Sequence, residues 1–330
     1  MKQRIITSVG LAILAGITLL TPAFGAVNIN WAYVGDVGNA ADTADGDSGT
    51  AGIQRYGAVG YAYKIAQNET TISQYCEFLN AAAKSDPYAL YNPRMSSTGG
   101  YSFIAGINRS GSSGSYSYAA VAGSGNKPIT FVSWFDAARF CNWLHNGQGN
   151  GDTETGAYTL NGATSGAILR EAAAKVWIPS ENEWYKAAYY DPTKGGSNYW
   201  LYPTQSDALA GNSAGVAHSA NYFDGDYVGY PGAALTNVGA YGANSASHYG
   251  TNDQGGNVFE WNDAVRGPSR GLRGGSWVGE GLSLASSIRG GLTPSDENTY
   301  YGFRVASVPE PSGVILTILA GGVLVTRRKR

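Results

Sequence analysis

Charged residues are scarce in this chain of 330 residues. They make up 14% of it, against about 25% in an average protein, and the formal net charge is −2. No cluster of lysine and arginine lies outside the two ends, which argues against a nucleic-acid partner. Residues 27–307 also lack a charge run, a proline-rich linker and a repeat of fixed period. We therefore expect one domain between the two ends.

Glycine and aromatic residues are abundant instead. The chain has 47 glycines, about twice the usual share, together with 23 tyrosines, eight tryptophans and nine phenylalanines. So many aromatic side chains require burial, because each carries a large apolar surface. This composition argues against a helical bundle, a coiled coil or a long disordered polymer.

The N-terminal end, residues 1–26, has the pattern of a secretory signal peptide. Lys2 and Arg4 carry its positive charge, an apolar run covers residues 5–20, and small residues at 23–26 provide a cleavage site. A membrane anchor is the alternative. The small residues and the polar segment 28–30 that follows favour cleavage, and we expect the chain to be exported.

The C-terminal end, residues 308–330, begins with the sequence VPEPS. An apolar stretch follows at residues 313–326, and the chain ends in four basic residues, Arg327 to Arg330. Fourteen residues rise about 21 Å as a helix, less than the ~30 Å of a bilayer core. The sequence therefore favours a sorting tail, with only transient membrane contact, over a permanent span.

This tail resembles the PEP-CTERM signal of Gram-negative bacteria that make extracellular polymer. The resemblance implies an exosortase and the secretion machinery as partners. It also implies removal of the tail and delivery through the periplasm to the cell surface or extracellular matrix. Loss of both ends leaves 16 basic and 23 acidic residues, a formal charge of −7, which suits calcium or polar ligands better than polyanions.

Three short helices are predicted from apolar spacing and capping boxes. They begin after Thr71, Ser133 and Ser180, and each start residue is followed three positions later by Gln74, Asp136 or Glu183. The apolar faces of the first two helices include Cys76 and Cys141.

Glycine- and serine-rich loops separate these helices at residues 96–115, 147–156 and 211–256. The first and last are longer than a structureless loop inside a domain usually is, and their tyrosines indicate packed, irregular structure. Short strand-like segments follow Trp261. The predicted fold class is α+β with little regular secondary structure.

Six sequence blocks occur together and in order. They are residues 71–80 (TISQYCEFLN), 128–144 (PITFVSWFDAARFCNWL), 178–184 (IPSENEW), 255–261 (GGNVFEW), 273–277 (RGGSW) and 302–305 (GFRV). Together they resemble the formylglycine-generating enzyme, or sulfatase-modifying factor, family over residues 59–306. The resemblance implies a single compact domain over residues 27–307, related to C-type lectins and low in regular structure.

The resemblance also implies structural calcium sites. The better match is Asp253, Gly256, Val258 and Glu260, where two carboxylates and two backbone carbonyls would provide oxygen ligands. The alternative is that Glu260 binds loop amides. A second, looser match is Asn221, Tyr222, Asp224 and Asp226, where the two aspartates could instead form a solvated turn.

The copper site of the family does not have its ligands here. Family enzymes oxidise a substrate cysteine with copper held by two cysteines just after the Gly-Gly-Ser turn, and thiolates suit Cu(I). In this sequence Gly279 stands at the first of these positions, and no cysteine follows it. We expect neither copper nor formylglycine formation by the family mechanism.

The remaining cysteines and histidines do not replace that site. In the family, the cysteine matching Cys141 bonds to one at the position of Val305, so buried free thiols are favoured over a Cys76–Cys141 disulfide. The histidines His145, His218 and His248 have no close metal-ligand spacing.

A ligand groove is the remaining candidate site. Its candidate residues by motif position are Ser276, Trp277, Trp261, Arg289 and Arg304. An aromatic wall with arginine donors could bind an extended peptide or a sugar, whereas the alternative is that both tryptophans belong to the core.

Two functional hypotheses follow. The first is an exported domain, sorted to the surface or matrix, that binds an extracellular peptide or polysaccharide. The second is an enzyme that modifies exported proteins by chemistry outside the family mechanism.

Overall fold

The computed structural model describes residues 26–43, 55–98, 100–104, 106–225 and 235–309. Residues 1–25 of the predicted signal peptide and residues 310–330 of the predicted sorting tail lie outside these ranges. In the described part, no helix has the length and apolar character that a membrane span requires.

The three predicted helices are present at the predicted positions: α1 (Ile72–Ala82), α2 (Trp134–His145) and α3 (Glu181–Tyr189). Each begins with the capping box read from the sequence. In α1, the Gln74 amide donates to Thr71 Oγ1 at 3.2 Å, and the Thr71 amide donates to Gln74 Oε1 at 2.9 Å. Two orphaned amides are thereby satisfied, which fixes where the helix starts.

The described strands form three small sheets. They are β1 (Trp31–Val34), β2 (Tyr63–Ala66), β3 (Ile107–Ser110), β4 (Ser117–Ala120), β5 (Val176–Trp177), β6 (Phe259–Arg266), β7 (Ser269–Arg273), β8 (Gly290–Leu292), β9 (Tyr301–Gly302) and β10 (Ala306–Ser307). The first sheet has the antiparallel order β1-β2-β10-β5. The second has the order β8-β7-β6-β9 with β9 parallel to β6, and β3 pairs with β4. Because β9 and β10 are close in sequence, the chain end connects the two larger sheets.

The first predicted loop is more regular than expected. Within residues 96–115 lies β3, paired antiparallel with β4 so that Ile107 faces Ala120 and Ser110 faces Ser117. The apolar Ile107 is fully buried at the start of this hairpin, which anchors it to the core. The sequence shows too short an alternation there to predict a strand.

The last predicted loop is irregular, as expected. Between residues 211 and 256, the described part contains a single 3-10 turn, Ala243–Ser245, and isolated bridges such as Asn221 with Gly256. Its tyrosines Tyr222 and Tyr241 are buried. Burial of these aromatic side chains, rather than regular backbone hydrogen bonding, therefore stabilises this loop.

Aromatic rings form the core between α1, α2 and the chain end. The ring of Phe140 lies 5.4 Å from those of Phe78 and Phe303, and Phe78 lies 5.4 Å from Trp143. A second aromatic cluster surrounds α3, where Tyr185 contacts Tyr199. The predicted α+β class with little regular structure is confirmed.

Candidate functional site

A fully buried ion pair lies at the centre of the predicted site. Arg304 donates through Nε to Glu260 Oε2 at 2.6 Å and through Nη2 to Glu260 Oε1 at 2.7 Å, and neither side chain is exposed. The Trp184 indole adds a third bond to Glu260 Oε2 at 2.8 Å. The other N–H groups of Arg304 reach the carbonyls of Ala66, Gln67 and Asn252 at 2.8–3.1 Å. Arg304 thus ties β2, the loop before β6 and β6 together.

Glu69 is a third carboxylate in this region, and none of the sequence motifs includes it. It is 1% exposed, and its oxygens accept from the Val258 amide at 3.2 Å and from Asn257 Nδ2 at 2.9 Å. Burial, followed by the nearby carboxylates of Asp253 and Glu260, raises the pKa of Glu69 well above its usual value. An acidic residue three positions after the end of β2 was the available sequence signal.

Asp253 lies at the edge of the same cluster. Its Oδ2 accepts from the Gly239 amide at 2.5 Å, and burial raises the pKa of Asp253 to about 6. Arg304 bonds to Glu260, and Glu69 and Asp253 lie close enough to interact with the same guanidinium electrostatically. When all three carboxylates are ionised, the cluster has a surplus of negative charge.

The backbone conformation of the loop between Asp253 and Glu260 restricts which residues can occupy it. Asp253, Gly256 and Asn257 all have positive φ, at 58°, 82° and 57°. A Cβ at Gly256 would lie 2.2 Å from the carbonyl oxygen of Asn221, so only glycine fits. The Asn257 side chain bonds across the loop to Asn221 as well as to Glu69.

In the second predicted calcium site, two of the backbone carbonyls already accept hydrogen bonds. The carbonyl of Asn221 accepts from the Asn257 amide at 2.8 Å, and the carbonyl of Tyr222 accepts from Asn212 Nδ2 at 2.6 Å. Asp224 is exposed, and Asp226 lies outside the described residues.

The tryptophans predicted for the groove point into the protein. Trp261 is fully buried and donates from Nε1 to the Val132 carbonyl at 3.0 Å. Trp277 is 6% exposed and donates to the Thr299 carbonyl at 3.2 Å. Ser276 is also fully buried, and within the described part of the chain its hydroxyl has no hydrogen-bond partner.

Arg289 lies in a separate cluster of charge. It bonds to both carboxylate oxygens of Glu181, with Nε at 2.5 Å from Oε1, and Arg273 Nε reaches the same oxygen at 2.9 Å. The guanidinium groups of Arg273 and Arg289 lie 4.7 and 5.0 Å from the ring centre of Tyr56. This network links β7 to the start of α3.

The side chain of Ser283 packs closely against the glycine at position 279. A Cβ at Gly279 would lie 2.6 Å from Ser283 Oγ, and one at Gly275 would lie equally close to it. The Ser283 hydroxyl is buried and, like that of Ser276, has no hydrogen-bond partner among the residues that the structure describes. The backbone turn after Ser276 is thus packed around a glycine at position 279.

An open cleft of about 500 Å³ begins directly after this turn. Leu209, Tyr222 and Phe223 line one part, and Glu280 and Leu282 line another. Leu209 and Leu282 are 53% and 65% exposed, unusual values for leucine. Motif positions could not reveal this cleft, because its walls come from an irregular loop and a 3-10 turn, Gly281–Leu284.

Cys76 and Cys141 are both buried and not bonded to each other, as predicted. Burial raises the pKa of Cys76 to about 11. Among the described residues, no group of three or more histidine, cysteine, aspartate or glutamate side chains is arranged to hold a metal ion.

Comparisons with known proteins agree with this fold. The family model described as "Sulfatase-modifying factor enzyme 1-like domain" matches residues 40–308. The crystal structure of CarF superposes with a TM-score of 0.55 at 21% identity, covering 86% of this chain and 99% of CarF. No curated protein sequence matches the chain.

Two further solved structures match with lower scores. Treponema denticola variable protein 1 has 20% identity and a TM-score of 0.46, covering 87% of this chain and 97% of its own. PvdO from Pseudomonas aeruginosa has 16% identity and a TM-score of 0.47, covering 85% and 92%. The family match extends over most of the sequence and over the buried network and the turn described above. The chain belongs to the sulfatase-modifying factor enzyme 1-like family.

Proposed function

We propose that this chain is an exported member of the family that binds a peptide ligand and does not form formylglycine. The observation that carries the proposal is the open cleft beside Leu209 and Leu282, which begins at the turn where family enzymes hold copper.

The first support is the loss of the redox ligands. The sequence has two cysteines, and both lie in the apolar faces of α1 and α2. Ser283 Oγ lies within 2.6 Å of the position that a Cβ at residue 279 would take. A serine hydroxyl and a glycine offer Cu(I) no soft ligand.

The second support is the chemistry of the cleft. Exposed leucines lose unfavourable contact with water when an apolar side chain covers them. Tyr222 and Phe223 add aromatic surface, while Asp224 and Glu280 make the cleft acidic. These features favour an extended peptide with an apolar side chain next to lysine or arginine, more than a neutral polysaccharide.

Arrays of peptides and glycans test the proposal, with the exported chain and a matched pair of variants. Leu282→Asp places a charge in the cleft, whereas Leu169→Asp makes the same change at a leucine that is 71% exposed and does not line it. We expect binding to basic, apolar peptides that Leu282→Asp reduces at least tenfold and Leu169→Asp leaves unchanged. Glycan binding that survives Leu282→Asp would contradict the proposed ligand and site.

We also propose a structural calcium ion at Asp253, Glu260 and the carbonyls of Gly256 and Val258. Its support is the charge surplus of Glu69, Asp253 and Glu260 over Arg304, and the hard oxygen donors of the loop. Glu260 already receives Arg304 on both oxygens, so it can give calcium only a remaining lone pair of Oε1. Calcium would supply fold stability there and no chemistry.

A thermal unfolding experiment tests the calcium proposal. We expect millimolar calcium, relative to chelator, to raise the unfolding temperature of the wild type by several degrees. Asp253→Asn should lose most of this shift. An equal shift in both proteins would place calcium elsewhere, and no shift in the wild type would refute the site.

The exported location is part of the same proposal. The signal peptide and the PEP-CTERM-like tail support delivery to the surface or matrix by secretion machinery and an exosortase. Mass spectrometry of the mature chain tests it, because the proposal predicts an N-terminus near residue 27 and loss of the apolar tail.

A further inference from the structure

A second cleft, of about 370 Å³, opens at one end of the sheet β1-β2-β10-β5. One wall consists of Tyr61 and Ala62, and the other includes Ala172, Ala174 and Trp177. Val308 and Pro309, the last two described residues, also line it. This cleft shares no residue with the one proposed above to bind peptide.

The last described residues lead directly into this cleft. In β10, Ser307 pairs with Lys64 of β2 on one side and with Val176 of β5 on the other, antiparallel to both. The next amide, that of Val308, still donates to the Lys175 carbonyl at 3.2 Å. Continuing in this direction, the chain runs toward Ala62 and Ala174.

The pairing of β10 with β5 ends where the segment before β5 turns away. The Ala174 amide donates to the Glu171 carbonyl at 3.1 Å, so residues 171–174 form a turn and no longer follow β10. This turn leaves a gap in line with β10. Three alanines surround the gap, Ala62, Ala172 and Ala174, and their small side chains leave room for others.

The sequence that follows fits such a gap. In an extended chain, residues two apart point to the same side, so an extended continuation beyond residue 309 would turn Pro311 to the side of Pro309, which lines the cleft. Because the Val308 amide donates toward β5, the Pro309 nitrogen points away from β5, and an extended continuation would place the nitrogen of residue 311 on that same side. Proline has no N–H to donate, and these are positions where β5 requires none.

The walls of the cleft are held rigid by a buried acid. Glu183, which is fully buried, accepts from the Tyr61 hydroxyl at 2.5 Å, from Arg170 Nη1 at 3.2 Å and from Trp177 Nε1 at 3.1 Å. The Arg170 guanidinium lies 4.7 Å from the ring centre of Trp177. Aromatic grooves of this kind bind proline-rich segments, and a preorganised one binds at a lower entropic cost.

We propose that residues 310–312 (Glu-Pro-Ser) of this same chain dock in the cleft, with the Pro311 ring between Tyr61 and Ala172. The segment begins at the rim of the cleft, so its effective concentration there is in the millimolar range or above. The domain thus covers the Pro-Glu-Pro sequence that a tail-processing enzyme would have to reach. This consequence rests on the processing proposed above, whereas docking itself does not.

Thiol labelling of the full-length chain tests the docking. The variant Ala172→Cys places a reactive thiol in the cleft wall, while the native Cys76 and Cys141 are buried and serve as silent background. We expect this thiol to react at least fivefold more slowly than in a chain where residues 310–312 are replaced by Gly-Ser-Gly. Ser112→Cys, in the exposed turn between β3 and β4, should react equally fast with either tail.

Equal labelling rates at position 172 with both tails would overturn the proposal. Ala62→Cys, on the opposite wall, repeats the test if Ala172→Cys does not fold. Mild oxidation gives a direct second readout: Ala172→Cys with Pro311→Cys should form an intramolecular disulfide, and Ser112→Cys with Pro311→Cys should not. Loss of tail processing in cells would leave these results unaffected, so the two proposals fail separately.

Discussion

Replacement of Arg304 is the most informative perturbation of the buried network. Arg304→Met keeps the apolar length of the side chain but removes five hydrogen bonds, two of them to the fully buried Glu260. Removal of one partner of a buried ion pair costs about 3–5 kcal/mol, because the other charge stays buried without compensation. We expect a loss of that size in the free energy of unfolding.

Urea unfolding followed by tryptophan fluorescence measures this loss. Arg304→Lys keeps the charge without the forked geometry and should fall between wild type and Arg304→Met. Lys194→Met is the matched control, because its 3.0 Å ion pair joins an aspartate, Asp207, whose side chain is 56% exposed, and should cost under about 1 kcal/mol. If Arg304→Met lowers the free energy of unfolding by less than about 1 kcal/mol, the structural role is refuted and ligand binding by Arg304 becomes the better interpretation.

Three further predictions concern pH, packing and thiols. In calcium-free protein, folding raises the pKa of Asp253 to about 6, so the protonated carboxyl stabilises the folded state. This stabilisation is complete below about pH 4 and is lost as pH rises to about 6. Urea unfolding across this range should show that Asp253→Asn removes this part of the pH dependence of the free energy of unfolding. Gly279→Ala should cost about 1–3 kcal/mol by crowding Ser283, and Ser283→Gly in the same chain should restore most of the loss, whereas additive losses in the double variant would contradict the crowding. Cys76 and Cys141 should not react with a thiol reagent in the native protein and should give two equivalents after unfolding; fast native labelling would contradict their burial.

Helix starts were predictable from the sequence because their determinants are local. The capping boxes at Thr71, Ser133 and Ser180 involve residues only three positions apart, and each is formed in the structure. The hairpin of β3 and β4 was not predicted, because its stability comes from burial of Ile107 against distant residues.

The candidate site was predictable only in part, for the same reason. Motif order identified Glu260 and Arg304, but not that they bond to each other across 44 positions. Glu69 lies 188 positions from the Asn257 that binds it, and no spacing rule connects them. The clefts are formed by irregular loops whose path depends on aromatic packing, so their walls could not be read from periodicity.

Metal analysis of the exported chain, purified without chelator and then incubated with Cu(I), distinguishes a calcium-binding ligand domain from a copper oxidase. We expect about one equivalent of calcium, less than about 0.1 equivalent of copper and no oxygen uptake with cysteine-containing peptides. Stoichiometric copper together with oxygen uptake would contradict this expectation, because the chain would then have a redox site that its two buried cysteines do not explain.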